Sequence, residues 1–244
     1  GSEMCIRDSP WGIHDAYVRD NIAYINVGYS GLVIADFSDP DSAQLITTLA
    51  PSEYPQSGYN HSGWLSEDGS TYYMADENHG KPMKILDVTE LPDIRVGELF
   101  DADSESINSI PHNQVVSGDY LYVAYYFDGL QVYDISDPSA PKRIMHYPTS
   151  SRNHQPGKYQ GAWGVYPFLP SGNILVSDMQ EGLFVVESVD KLSSVEIIDG
   201  NHNVGFNVLP NPIQSEFRIE NIADDYQTVS LIDLHGQTVG EWNY

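Results

Sequence analysis

The chain has 244 residues, and its 11 Lys+Arg against 35 Asp+Glu give a formal charge of −24. That balance excludes a basic nucleic-acid footprint, disfavours anionic membranes and concentrates cations near the surface. No apolar run approaches the roughly 20 residues of a membrane span. A single cysteine, Cys5, excludes a disulfide framework and a thiolate metal cluster.

Gly1–Ser9 fits no later pattern and reads as translated cloning sequence, so residues 1–10 are set aside as a non-native leader. The native chain is accordingly expected to be longer, and no signal peptide is visible at its start. From residue 11 onward a repeat governs the sequence. Gly31-Leu-Val-Ile-Ala-Asp36, Pro82-Met-Lys-Ile-Leu-Asp87, Gly129-Leu-Gln-Val-Tyr-Asp134 and Gly182-Leu-Phe-Val-Val-Glu187 superimpose, with acidic ends 51, 47 and 53 residues apart. Two of them continue alike, as Phe37-Ser-Asp-Pro40 and Ile135-Ser-Asp-Pro138. A period near 50 with no clean helical stretch predicts four-stranded propeller blades. The third unit shows the plan, with strands expected over His112–Ser117, Tyr120–Tyr126, Gly129–Ile135 and Lys142–Tyr147. Gly118-Asp119 and Asp128-Gly129 supply the positive φ of tight hairpins. The fold class is therefore all-β, a propeller of four four-stranded blades at about residues 11–55, 58–105, 108–150 and 159–200.

Repeat alignment places His14, His61, His112 and Trp163 at one position, near the start of successive first strands. First strands line a propeller channel. Turn symmetry sets Val27, Asp76, Tyr125 and Asp178 opposite them, so His61–Asp76 is expected to be a carboxylate-oriented imidazole at the channel mouth. The four aligned residues are candidate ligand-binding residues. As a metal site, His14, His61 and His112 would converge on a divalent cation, Ca or Zn, with Asp76, Glu77 and Asp178 as oxygen donors. The competing reading is structural: repeats share residues without sharing a function, and each His then fixes blade register. Tyr125 and Tyr126 read as interblade core. Asp101-Ala-Asp103-Ser-Glu105 lacks the spacing and glycine of an EF-hand and reads as a solvated loop.

The stretches Tyr59-Asn-His-Ser-Gly-Trp-Leu65, Leu121–Tyr126 with Gly129–Pro138, and Gly161–Gly172 through Gly182-Leu-Phe184 resemble the LVIVD-repeat β-propellers of the choice-of-anchor B family of secreted bacterial proteins. The resemblance covers about residues 11–200 and implies further blades upstream, so that the four form part of a larger propeller. Open blade edges would then favour self-association. Beyond residue 206, Asn207-Val-Leu-Pro-Asn-Pro212 precedes two alternating runs, Glu216–Ile219 and Thr228–Leu234, and a turn at His235-Gly236. This segment, 206–244, resembles the C-terminal sorting domain of the type IX secretion system of Bacteroidetes, here as an incomplete small β-sandwich. The resemblance implies a secreted or cell-surface protein. The function expected is non-catalytic binding of a surface protein or polysaccharide, without nucleic acid or membrane insertion. The alternative is a hydrolase or lyase using a cation at the channel mouth.

Overall fold

The computed structural model describes residues 12–102, 108–150, 152–187 and 189, together with the strands of residues 207–209, 218–220, 228–232 and 238–243. The leader, residues 103–107 of the acidic loop, and His202 and His235 lie outside the described residues.

Residues up to 188 form one compact unit. Blade 1 comprises β1 (Asp15–Arg19), β2 (Ile22–Asn26), β3 (Leu32–Asp36) and β4 (Gln44–Leu49). Blade 2 comprises β5 (Asn60–Leu65), β6 (Thr71–Asp76), β7 (Met83–Asp87) and β8 (Arg95–Phe100). Blade 3 comprises β9 (Asn113–Ser117), β10 (Tyr120–Ala124), β11 (Leu130–Asp134) and β12 (Lys142–Tyr147). Each is a four-stranded antiparallel sheet in sequential order. Blade 4 shows β13 (Ala162–Tyr166), β14 (Ile174–Asp178) and β15 (Gly182–Val186). Its expected outer strand falls beyond residue 187, outside the described residues. The first strands of successive blades lie against one another, β1 on β5, β5 on β9 and β9 on β13, which is the arrangement of a β-propeller.

Local chemistry explains the repeat. Asp20 and Asn21 both take positive φ (52° and 65°) in the β1–β2 hairpin, the conformation that Asn and Asp tolerate best. The glycine that opens each third strand in blades 1 and 3 is required twice over. Gly31 and Gly129 have φ of 87° and 70°, and a Cβ there would run into the carbonyl oxygen of Leu49 or Tyr147 on the outer strand. The aspartate that closes the third strand caps the turn after it. Asp36 Oδ1 accepts from Ser38 N (2.7 Å), Asp87 Oδ1 from Thr89 N (3.0 Å) and Asp134 Oδ1 from Ser136 N (2.8 Å).

Blades adhere through apolar faces. Tyr24, Leu32 and Ile34 of blade 1 pack on Tyr72, Met74 and Leu86 of blade 2, with Tyr24 and Tyr72 stacked at 4.8 Å. The opposite face of blade 2, with Tyr73, Met83 and Ile85, packs on Val116, Leu121, Val123 and Tyr133 of blade 3. Backbone bridges stitch neighbours at the inner strands, Gly28 to Asn60 and Tyr126 to Ala162.

Residues 189–244 form a second unit. Its strands pair in two antiparallel hairpins, β16 (Asn207–Leu209) with β17 (Arg218–Glu220) and β18 (Thr228–Ile232) with β19 (Thr238–Asn243). Among the described residues no helix is long and apolar enough to cross a membrane.

Candidate functional site

Each inner strand begins with the same irregularity. In blade 2 Asn60 pairs with Asp76 and Ser62 with Ala75, leaving His61 as the extra residue of a bulge. In blade 4 Ala162 pairs with Asp178 and Gly164 with Ser177, leaving Trp163. The offset recurs in blades 1 and 3, where His14 N donates to Asn26 O (2.9 Å) and His112 N to Ala124 O (3.0 Å). A bulge re-aims its extra side chain, and here it sets four rings side by side. Centroids of His14 and His61 are 4.3 Å apart, those of His61 and His112 4.3 Å, and those of His112 and Trp163 4.0 Å.

The bulge also corrects the register expected from turn symmetry. One residue of the first strand is consumed without a partner, so Asp76 faces Asn60 rather than His61, and Asp178 faces Ala162 rather than Trp163. Both aspartates are committed elsewhere. Asp76 makes a fully buried ion pair with Lys84 Nζ at 2.8 Å and accepts from Gly58 N at 2.7 Å. Asp178 accepts from Thr149 Oγ1 at 2.7 Å and from the N–H groups of Gln180 and Glu181 at 2.9 and 3.0 Å.

The carboxylate that meets the histidines is Glu77, one residue past β6. Its Oε2 lies 3.6 Å from His61 Nε2 and its Oε1 3.9 Å from His112 Nε2. Tyr126 donates its phenol hydrogen to Glu77 Oε1 at 2.5 Å. His14, His61 and Glu77 each offer a ligand atom, all within 4.8 Å of one another, whereas His112 is turned to the carbonyl of Trp163 through Nδ1. Tyr59 OH meets His14 Nδ1 at 2.9 Å. Burial, reinforced by the imidazoles of His112 and His14, pushes His61 down to about 3. Burial likewise pushes His112 down to about 4, and raises the Glu77 carboxyl against the Tyr126 hydrogen bond that lowers it. The His61 and His112 imidazoles are therefore neutral at pH 7, with lone pairs available.

Tyr126 departs from the repeat pattern. In the repeat it occupies the position of Gly28, since Ala124 pairs with Leu130 as Asn26 pairs with Leu32. Gly28 has φ of 55° and Tyr126 of 35°. A left-handed backbone costs a side-chain-bearing residue about 1–2 kcal/mol. Blade 3 tolerates that cost where blade 1 uses glycine, and the side chain so placed holds Glu77. Burial first, then Glu77, drives the Tyr126 phenol far above its ordinary value, so it stays a donor. A repeat position held by Gly28 in one blade and by Glu77 and Tyr126 in the next two is a signal the alignment carried.

Exposed aromatic rings border these groups. Tyr29, 72% exposed, packs edge-on against Tyr59 at 5.1 Å. Tyr159, 39% exposed, lies 5.6 Å from Tyr126, and Trp163 is 44% exposed.

Fold and inner-strand rings together define a repeat-built β-propeller with one ring contributed by each blade. Within it, residues 14–49 and 113–149, which are blades 1 and 3, match the LVIVD repeat. No curated protein matches the chain. Among solved structures, the periplasmic gluconolactonase PpgL of Pseudomonas aeruginosa is similar with a TM-score of 0.53 at 13% identity, over 72% of this chain and 53% of that one. The dihydro-heme d1 dehydrogenase NirN, in complex with DHE, gives a TM-score of 0.50 at 17% identity, over 97% of this chain and 48% of that one. A Myceliophteria thermophila Cps50 (Swd1) β-propeller domain gives 0.46 at 10% identity, over 69% and 51%. The chain thus spans about half the length of the structures it resembles, and at these identities the likeness is one of fold.

Proposed function

We propose that the protein is an exported, non-catalytic binding propeller that engages a polymer at the bacterial cell surface through the face carrying His14, Tyr29, Tyr159 and Trp163. The observation that carries this reading is the border of exposed aromatic rings beside the four-ring row. Solvent-facing Trp and Tyr are large, rigid contact groups that lose little entropy on binding, and their faces suit sugar rings as well as apolar side chains. Binding of the purified chain to immobilised cell-envelope polysaccharide and to envelope protein should be saturable. Trp163→Ala and Tyr29→Ala should each weaken it about tenfold, the loss of roughly 1.4 kcal/mol of contact. Unchanged binding in the double variant would remove the aromatic face from the function.

A second reading, a hydrolase or lyase working through a cation at the channel mouth, is favoured by the convergence of His14, His61 and Glu77. Two imidazoles and one carboxylate leave coordination positions for water and substrate. Turnover of ester, lactone or glycosidic substrates that depends on added metal and vanishes in Glu77→Gln would establish it over the first.

A further inference from the structure

We infer that His14, His61 and Glu77 form a binding site for a zinc-class divalent cation, with Tyr59 and Tyr126 as positioning residues. The site does not rest on the polymer-binding reading, and its failure would leave that reading standing while removing the hydrolytic one.

Three observations carry the inference. First, the donor atoms come from two blades, His14 from blade 1 and His61 and Glu77 from blade 2, and all lie within 4.8 Å of one another. Tetrahedral ligands 2.0–2.1 Å from a zinc ion stand about 3.3 Å apart. His61 Nε2 and Glu77 Oε2, at 3.6 Å, are already near that separation, and His14 is an exposed side chain that would close the remainder together with the Tyr59 hydroxyl that meets it.

Second, the buried imidazoles beside Glu77 carry unpartnered ring nitrogens. His61 is buried with Nδ1 unpartnered, and His112 is buried with Nε2 unpartnered and facing Glu77. Buried polar atoms without partners are rare, and each calls for an explanation. Neither atom is the His61 Nε2 that faces Glu77 Oε2, so they mark polar surroundings for the ion rather than its ligand atoms.

Third, the neighbours are arranged as metal sites arrange theirs. Ligating imidazoles usually donate their second nitrogen to a fixed acceptor, which sets the tautomer. His14 Nδ1 has the Tyr59 hydroxyl at 2.9 Å for that purpose, so that Nε2 carries the lone pair. The carboxylate is fixed in the same way. Tyr126 holds Glu77 Oε1 and turns Oε2 toward His61. The left-handed backbone that Tyr126 adopts in place of glycine is retained by the contact it makes there.

The donor chemistry selects the ion. Two nitrogens and one carboxylate suit zinc and its first-row neighbours, whereas calcium takes six to eight oxygens. The set also differs from the one expected from turn symmetry, because Asp76 and Asp178 hold Lys84 and Thr149 instead.

The full chain, stripped with chelator and titrated calorimetrically with Zn²⁺, should bind one ion per chain. Millimolar Ca²⁺ should not compete. Cobalt substitution should give visible ligand-field bands from a site of low coordination number. His14→Ala, at an exposed position, and Glu77→Gln, an isosteric change, should abolish stoichiometric binding while far-UV dichroism stays that of the parent. Tyr126→Phe should weaken binding about 10–100-fold and shift the cobalt spectrum, the effect of losing a carboxylate-orienting partner. Asp178→Asn and His146→Ala should bind as the parent does. No stoichiometric uptake by the parent would overturn the site. Parent-like binding in both His14→Ala and Glu77→Gln would overturn it equally, and parent-like binding in Tyr126→Phe would remove Tyr126 from it.

Discussion

Blades 1 to 3 and blade 4 are built on one pattern and meet opposite fates. The third strands of the first three blades each point two apolar side chains toward the next blade: Leu32 and Ile34, Met83 and Ile85, Leu130 and Val132. All six are buried. The equivalent pair in blade 4 is Leu183 and Val185, which are 65% and 62% exposed. Residue type and strand position are the same, so burial is a property of the neighbour and not of the repeat. Each unit of a repeat array buries its face on the next, and its side chains contribute stability only where a successor covers them. The second strands teach the same lesson with charge. Asp76 and Asp178 end equivalent strands, yet Asp76 neutralises a fully buried lysine while Asp178 only caps a turn and a threonine.

The sharpest way to break this comparison is at the two aspartates. Asp76→Ala leaves the Lys84 ammonium buried without its counter-ion, a change that costs about 3–5 kcal/mol. Asp178→Ala leaves hydroxyl and amide donors unsatisfied, at about 1–3 kcal/mol. Denaturant melts should rank the variants in that order. Replacing the pair together, as Asp76→Leu with Lys84→Met, should recover most of the loss, since no buried charge then remains. Equal costs for the two alanine variants would show that the ion pair adds nothing beyond ordinary capping.

Next in size is the apolar pair. Leu130→Ala empties a fully buried site between blades 3 and 4 and should cost about 2–5 kcal/mol. Leu183→Ala trims a side chain already in water and should change stability by less than about 0.5 kcal/mol. The midpoint of unfolding at constant slope measures both. A large loss for Leu183→Ala would mean that this face is covered in solution.

Most of the fold was legible in the sequence, and the candidate site in part. Asp20-Asn21 and the glycines at 31 and 129 announce their turns, because few residues accept positive φ and none with a Cβ fits beside the outer strand. Alignment of the repeats found the row His14, His61, His112 and Trp163, because equivalent positions in successive blades must stand at equivalent places. It set Asp76 opposite His61, although Glu77 stood among the expected donors. Counting outward from a hairpin assumes an unbroken ladder, and a bulge at His61 shifts everything beyond it by one residue. Tyr126 reads as core from sequence and is fully buried beside Ile110 and Phe127, but nothing in its residue type shows that its phenol reaches Glu77. Its departure from the glycine of blade 1 was the available clue, and left-handed backbone cannot be seen without coordinates.

The smallest effect concerns the acidic residue that closes each third strand. Asp36 and Asp87 are held below the ordinary carboxyl value of 3.8 first by the hydroxyls of Ser38 and Thr89 and then by their N–H groups. For Asp134 the N–H of Ser136 comes first and its hydroxyl second. Blade 4 has Glu187 rather than aspartate at this place. A carboxyl with a depressed folded-state value binds protons more readily when unfolded. Its contribution is therefore complete above the unfolded value, near 3.8, and is lost as pH falls through the lower folded values. The triple variant Asp36→Asn, Asp87→Asn, Asp134→Asn keeps the turn's acceptor oxygen and removes its titration. It should be slightly less stable than the parent at pH 7 and should converge with it in acid, giving a flatter loss of melting temperature below about pH 4. A triple variant whose melting temperature runs parallel to the parent's from pH 7 to 2 would show that these turns need the oxygen and not the charge.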